Sequence, residues 1–456
     1  MSEDTKAARG QFFTVNKRVQ EAMLDLIETD QKGSFLEPSS GEGHLVAALE
    51  NAHYANITSV EYDPNLAVIS NSQPIRASFF DFAATQTKTY DCIFGNPPFV
   101  GWKSLEKEQT ENPNLAEIKE RYSDKANLYY LFIDKAIDLL SHDGELIFIV
   151  PKEWLYTSSA SPLRDKILET GNLTHIIDCG EEKLFPDADV PAIVIFRYQK
   201  TGTPQGRTKY ALTLNAALNN EWEDRIVTKT GDRLIILDPL TSATIKNWGT
   251  LNDYLSVKVG IVSGADPIFR VTDPTSYEPE TVTQYLTTKG LEWFIDVNHI
   301  DREEDLPEKT KNYLLAYKAK LISRRISKFD ENNWWKYGAI RNKETMLTTA
   351  DRFYALVKTR SATPFFTNKE AKLFAGGVLG IFAKKELPEG ITVEDITELL
   401  NTDFYRKLFA SMQLTTGNKL SLQPSTLGTL PFPATDKELR TTLDTLLSQK
   451  KPAAYR

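Results

Sequence analysis

Residues 94–99, Phe-Gly-Asn-Pro-Pro-Phe, place a primary amide, two rigid main-chain carbonyls and an aromatic face in succession at the end of a strand-forming run. Asn96 offers a side-chain oxygen and an NH₂ group. Pro97 and Pro98 have a fixed φ and no N–H, so they present carbonyl acceptors in a rigid frame. Phe99 adds a flat apolar face. Two adjacent prolines also stop a strand, and Asn-Pro favours a turn. A turn alone, however, requires neither the second proline nor the pattern that precedes it.

That pattern is a series of acidic residues at the ends of strand-like runs. "FLEPSSGEGHLVAAL" (35–49) reads as strand, acid, small residues, Gly-x-Gly and helix. Gly41 and Gly43 permit a tight turn, and the helix start behind them has unpaired N–H groups. A phosphate loop competes for this stretch, but the acidic Glu37 sits where a phosphate would be repelled. It suits a cation carrying an amine and a sulfonium. The next run ends in Glu61-Tyr62-Asp63, about twenty residues after the glycine turn, where an acid can accept both hydroxyls of a ribose. A third, "IRASFFDF" (75–82), is read as a strand ending in Asp81-Phe82. There a carboxylate can take an exocyclic amino group while a phenyl ring packs on the base. Any one of these acids alone reads as a turn or cap residue; three in ligand-binding order do not.

The elements that must carry these residues alternate between strand and helix. Strands are expected at 35–38, 57–63, 75–82, 91–96, 145–151, 173–180 and 191–199, with helices at 16–28, behind an Asn16 cap, and at 125–140. The expected fold is α/β: a seven-stranded, mostly parallel Rossmann-like sheet with helices on both faces and ligands beyond the strand ends. The polar Gly/Pro stretch at 198–210 is read as a boundary, giving domains 1–200 and 201–456. The second is expected to be mixed α+β.

With 456 residues the chain requires more than one core. Its apolar runs are strand-sized, its N-terminus lacks the apolar segment of a secretory signal, and two cysteines form neither a disulfide framework nor a zinc spacing. A cytoplasmic protein without metal or membrane attachment is expected. The net charge of −8 conceals an asymmetry: −12 over residues 1–200, +4 over 201–456, and +10 within 309–372. One half is thus suited to a polyanion. In that basic stretch Lys318, Lys320, Arg324, Arg325 and Lys328 recur at helical spacing, followed by Lys336 and Arg341. A solvated basic surface is the plainer reading of the same residues.

In order, "GQFFT" (10–14), "LEPSSGEG", "EYDP", "FFDF", "GNPPF", "GELIFIVPKEWL" (144–155) and "KLFPDADVPAIVIF" (183–196) resemble the motifs of S-adenosylmethionine-dependent DNA adenine-N6 methyltransferases. The gamma-type, TaqI-like group, in which a DNA-recognition domain comes last, is the nearest pattern. One departure is Thr14-Val15, where the family usually has Thr-Pro. The resemblance implies that Thr14, Glu37, Ser39, Gly41, Gly43, Glu61, Tyr62, Asp81, Phe82 and Pro98 hold S-adenosylmethionine. It further implies that Asn96 and Pro97 accept the two amino hydrogens of an adenine flipped out of duplex DNA, with Phe99 and Phe185 on its two faces. On its own, Phe185 reads as a strand-edge core residue.

"VKVGIVSGADPIFRV" (257–271) and "LTTGNKLSLQPSTLGTLPFP" (414–433) resemble, less specifically, segments of recognition domains, and the basic residues named above are the expected DNA contacts. The partners implied are double-stranded DNA and a separately acting restriction endonuclease. Because the chain carries both a catalytic and a recognition half, a monomer is expected. Glutamine-modifying enzymes share the Asn-Pro-Pro-aromatic motif but lack a large basic domain after it. RNA adenine methylation and a non-catalytic DNA-specificity protein compete with the same reading, the second against an intact Asn96–Phe99 motif. Cytosine-N4 enzymes usually carry Ser in place of Asn96, and only nine residues precede the first motif, too few for a fused nuclease.

Overall fold

The computed structural model describes residues 13–180, 182–185, 192–201, 206–349, 351–416 and 419–448. Residues 10–12 of the first motif and 186–191 of the last lie outside them. The chain forms two compact units, Met1–Ser242 and Ala243–Arg456.

Among the described residues, the first unit is built on a sheet of ten strands, where seven are expected. They are β1 (Ser34–Glu37), β2 (Asn56–Glu61), β3 (Ile75–Arg76), β4 (Tyr90–Gly95), β5 (Leu140–Pro151), β6 (Gly171–Gly180), β7 (Ile193–Lys200), β8 (Arg207–Ala211), β9 (Glu223–Thr230) and β10 (Arg233–Leu237), in the order β10-β9-β8-β6-β7-β5-β4-β1-β2-β3. From β3 to β5 neighbours are parallel. β7 runs antiparallel between β5 and β6, β8 is parallel to β6, and β9 and β10 close the edge as a hairpin. The stretch read as a domain boundary at 200 therefore connects two strands of one sheet. A polar segment with Gly and Pro looks alike whether it joins strands or domains.

The helices that matter to the site are α1 (Lys17–Leu24), α2 (His44–Asn51), α3 (Phe79–Ala84), α4 (Lys107–Thr110), α5 (Pro113–Lys119), α6 (Leu128–Leu139) and α7 (Ser161–Thr170). Period-two alternation splits the strand side chains between two cores. Leu36, Ile93, Leu146, Phe148 and Val150 face one side, packed with α6 and α7. Phe35, Cys92, Phe94, Ile147 and Ile149 face the other, against α1 and α2. Helices thus cover both faces, and the central strands are buried on both, as parallel sheets require. Both cysteines are free and buried. α1 begins where expected, with the Asn16 side chain accepting from Arg18 N.

One expected strand, 75–82, is helical in its second half. β3 stops at Arg76, and α3 follows, with Asp81 in its first turn and the Ser78 side chain accepting from Phe80 N. Ser78 followed three residues later by Asp81 is a helix-start pattern, and the side-chain cap outweighs the β-propensity of the phenylalanines.

The second unit mixes small sheets and helices around its own core. One four-stranded sheet joins Leu255–Val259, Val378–Ala383, Arg352–Leu356 and Phe365–Phe366; another joins Arg270–Val271, Gly290–Ile295, Val282–Thr287 and Leu373–Phe374. Trp334 and Trp335 are fully enclosed in that core. The continuous helix expected under the basic stripe is absent. Glu308–Leu315 and Lys318–Ile322 are separate helices, and residues 323–330 form a loop. Among the described residues, no helix is long and apolar enough to cross a membrane.

Candidate active site

The carboxyl ends of β1, β2 and β4 and the start of α3 surround a cavity of about 210 Å³. Thr14, Glu37, Ser39, Gly41, Glu61, Tyr62, Asp81, Asn96 and Pro98 line it. Gly43, Pro97, Phe82, Phe99 and Phe185 do not. Gly43 acts behind the wall: it starts α2 with φ +85°, and an added Cβ would lie 2.6 Å from the Ser70 hydroxyl. Phe82 is turned into the hydrophobic core, and Phe79 and Phe80 take the lining positions. This exchange follows from α3 being a helix, in which neighbours no longer alternate between two faces.

Glu37 closes β1 and is 1 % exposed. Among the described residues, neither of its oxygens completes a well-formed hydrogen bond. Burial pushes its pKa well above the carboxylate range; the Ser39 and Asn96 N–H groups draw it partly back, and the charge of Glu61 raises it further. Gly95 makes room for it, since a Cβ there would lie 2.4 Å from Glu37 Oε1. A buried carboxylate without a counter-ion is costly, and a cationic ligand would relieve that cost.

Glu61, at the end of β2, receives the N–H of Gly41 at 2.7 Å and that of Asp63 at 2.8 Å. Burial raises its pKa as well, against those two donors. The bond to Gly41 ties the glycine turn to β2, and Gly41 adopts φ +56° with the Phe13 ring 2.8 Å from where a Cβ would sit. Asp81 is held by amides: Asn112 Nδ2 donates to both of its oxygens at 2.8 and 2.9 Å, and Asn114 Nδ2 to one at 2.7 Å. The Asn112 oxygen meanwhile caps α5 through Asn114 N and Leu115 N. A single side chain therefore fixes both the helix start and the carboxylate.

Asn112 also lines the cavity, with Leu105 and with Glu108 and Gln109 of α4, all from the segment after the Asn-Pro-Pro-Phe motif. The sequence pattern does not single these residues out. Asn112-Pro113, a capping residue before a first-turn proline, is a legible helix start, but nothing marks it as facing a ligand.

At the tip of β4, Asn96 is tied from two sides. Its Nδ2 donates to Thr14 Oγ1 at 3.1 Å, and its main-chain oxygen accepts from Ser39 Oγ at 3.1 Å. The chain beyond is pinned by main-chain bonds from Leu128 N to Val100 O and from Trp102 N to Ala126 O. Phe99 meets Phe185 edge to face, centroids 6.2 Å apart and planes at 77°, and meets Tyr129 likewise at 5.9 Å. The family resemblance puts Phe99 and Phe185 on opposite faces of a base. The structure brings the two rings together, but sandwiching a base takes parallel faces about 7 Å apart, twice an atomic contact distance, so one ring must rotate.

In the second unit the seven expected cations divide by environment. Arg324 is a strut: its guanidinium donates to the carbonyls of Leu321, Ser263, Trp334 and Lys336, lies 3.7 Å from the Phe329 ring centroid, and has its pKa lowered by burial to about 10. Lys318 pairs with Glu303 and Glu331, and Lys336 with Asp301. Lys320, Arg325, Lys328 and Arg341 are exposed. Arg324→Ala is expected to lower the stability of this unit by about 2–4 kcal/mol, since charge-assisted bonds contribute about 1.5–3 kcal/mol each and their losses overlap. Arg325→Ala is expected to leave stability unchanged; denaturant titration of both variants checks the contrast.

Residues 37–185 match the family described as Eco57I restriction-modification methylase. The Type II methyltransferase M.HindII of Haemophilus influenzae is 26% identical, over 96% of this chain and 92% of its own length. M.HincII, also from Haemophilus influenzae, is 36% identical over 44% of this chain and 39% of its own length. Among solved structures, the Type IIL restriction-modification enzyme MmeI in complex with DNA aligns over 99% of this chain and 74% of its own, with 11% identity and a TM-score of 0.49. Residues 37–185 are thus similar to the Eco57I-like restriction-modification methylases, and both relatives named above are Type II methyltransferases.

Proposed function

We propose that this methyltransferase uses S-adenosylmethionine to methylate the N6 amino group of an adenine extruded from duplex DNA. The observation that carries the reading is the adjacency of Asn96, at the tip of β4, to a cavity whose most buried lining carboxylate, Glu37, has no counter-charge among the described residues. When bound, S-adenosylmethionine supplies an electrophilic methyl group on a sulfonium.

The chain's own residues do the rest. Glu37 would hold the ligand's cationic end, Glu61 its ribose hydroxyls and Asp81 the amino group of its adenine. Asn96 Oδ1 and the Pro97 carbonyl would each accept one hydrogen of the target amino group. That nitrogen is a poor nucleophile while its lone pair is delocalised into the ring, and two acceptors bias it toward a pyramidal geometry. The prolines keep the acceptors rigid, so alignment supplies much of the rate. Lys320, Arg325, Lys328 and Arg341 are the cations left to meet phosphates, and the second unit would read the DNA site.

The test is transfer of labelled methyl groups from S-adenosylmethionine to duplex DNA, RNA and protein by the purified chain. Label in duplex DNA is expected; label confined to RNA or protein contradicts the proposal. Phe185→Ala should retain cofactor binding and lose turnover by about tenfold or more, since stacking a base contributes about 1–3 kcal/mol. Normal turnover in that variant would remove Phe185 from the target site.

A further inference from the structure

We propose that Thr14 is a positioning residue for the transfer step: its hydroxyl holds the Asn96 amide in the place from which it acts. The inference rests on the catalytic reading of Asn96 given above. It assigns Thr14 a task separate from contact with the methyl donor.

The terminal torsion of an asparagine is broad and nearly two-fold, so its own preferences do not hold the amide in one place. Hydrogen-bond partners do. Asn96 Nδ2 lies 3.1 Å from Thr14 Oγ1, across 82 residues of sequence. Thr14 is itself anchored. It is 4 % exposed, and its carbonyl accepts from Gln20 Nε2 at 2.7 Å, Gln20 being a buried residue of α1. From the other side Ser39 Oγ holds the Asn96 carbonyl. Main chain and side chain of Asn96 are thus fixed independently, by residues from two different loops.

The chemical consequence is alignment: a group that acts on a reacting atom must keep its place through the transfer step. Valine in place of Thr14 keeps the shape but cannot hydrogen-bond Nδ2, so the amide loses a bond that holds it. Serine keeps the oxygen.

The test compares single-turnover methyl transfer at saturating S-adenosylmethionine, together with cofactor Kd, for the native chain, Thr14→Val, Thr14→Ser and Asn96→Ala. Thr14→Val is expected to transfer about tenfold to a hundredfold more slowly, the scale of a misplaced catalytic group, with nearly native cofactor affinity. Thr14→Ser should recover most of the rate. If the valine variant does not fold, Thr14→Ala supplies the same comparison. The proposal is overturned if Thr14→Val transfers at the native rate, if its defect vanishes at saturating cofactor, or if Thr14→Ser is equally slow. Native transfer by Asn96→Ala would instead overturn the catalytic reading itself, whatever the Thr14 variants do.

Discussion

Replacing Asn96 with alanine is expected to slow methyl transfer by about a hundredfold to a thousandfold, the usual effect of deleting one preorganised polar group that acts on the reacting atoms. The loss should fall on kcat. Asn96 is one of the residues that line the cavity, but the carboxylates proposed to grip the methyl donor lie on β1, β2 and α3, so cofactor affinity should change far less than the rate. Thr14 loses a partner in the variant, while Ser39 keeps its bond to the main-chain oxygen of residue 96. Stopped-flow or quenched-flow transfer rates and a calorimetric cofactor titration separate the two quantities. A variant that binds cofactor poorly and transfers normally once saturated would show that Asn96 belongs to the cofactor site instead.

Glu37→Gln is expected to weaken cofactor binding by about a hundredfold or more, because removing one partner of a buried charge pair costs about 3–5 kcal/mol and each 1.4 kcal/mol is about tenfold. The same substitution should stabilise the ligand-free protein. Burial raises the Glu37 pKa well above its ordinary 4.5, so the folded chain holds this proton more tightly than the unfolded one. The stability this residue permits is then greatest below pH 4.5 and falls as pH rises toward the raised value. Glutamine stays neutral and escapes that loss. Thermal melts should therefore show Glu37→Gln melting higher than the native chain at neutral pH without cofactor, and the order reversing when cofactor is added. Native cofactor affinity should itself rise with pH up to the raised pKa and then level off, since binding a cation favours the carboxylate. Equal melting curves and equal affinities in the two proteins would remove Glu37 from the binding site.

The central sheet is legible in the sequence because each strand is short, apolar and ended by a residue that breaks the pattern: Glu37, Glu61, or the pair Pro97-Pro98. The residues that meet are legible too. Of the expected cofactor-site positions, Phe82 alone faces away into the core; the others line the cavity or, as Gly43 does, shape its wall. What stays obscure has physical reasons. Phe79-Phe80-Asp81-Phe82 has the composition of a strand, and only the Ser78 cap tips it into helix. The basic stripe assumes a helix through residues 316–317 and 323–328; the helices stop at Leu315 and Ile322, and Arg324 turns inward to main-chain carbonyls. Charge spacing reveals where cations are, not which have been committed to the fold. The cavity-lining residues of 105–112 carry no periodic signal and meet the other lining residues only in the folded chain.

The most direct test is the identity of the modified nucleoside in DNA from cells expressing the native chain or Asn96→Ala, read by mass spectrometry after complete hydrolysis. Grip of an exocyclic purine amine by Asn96 and Pro97 predicts N6-methyladenine with the native chain and none above background with the variant. N4-methylcytosine in its place, or N6-methyladenine at the same level with Asn96→Ala, would contradict it.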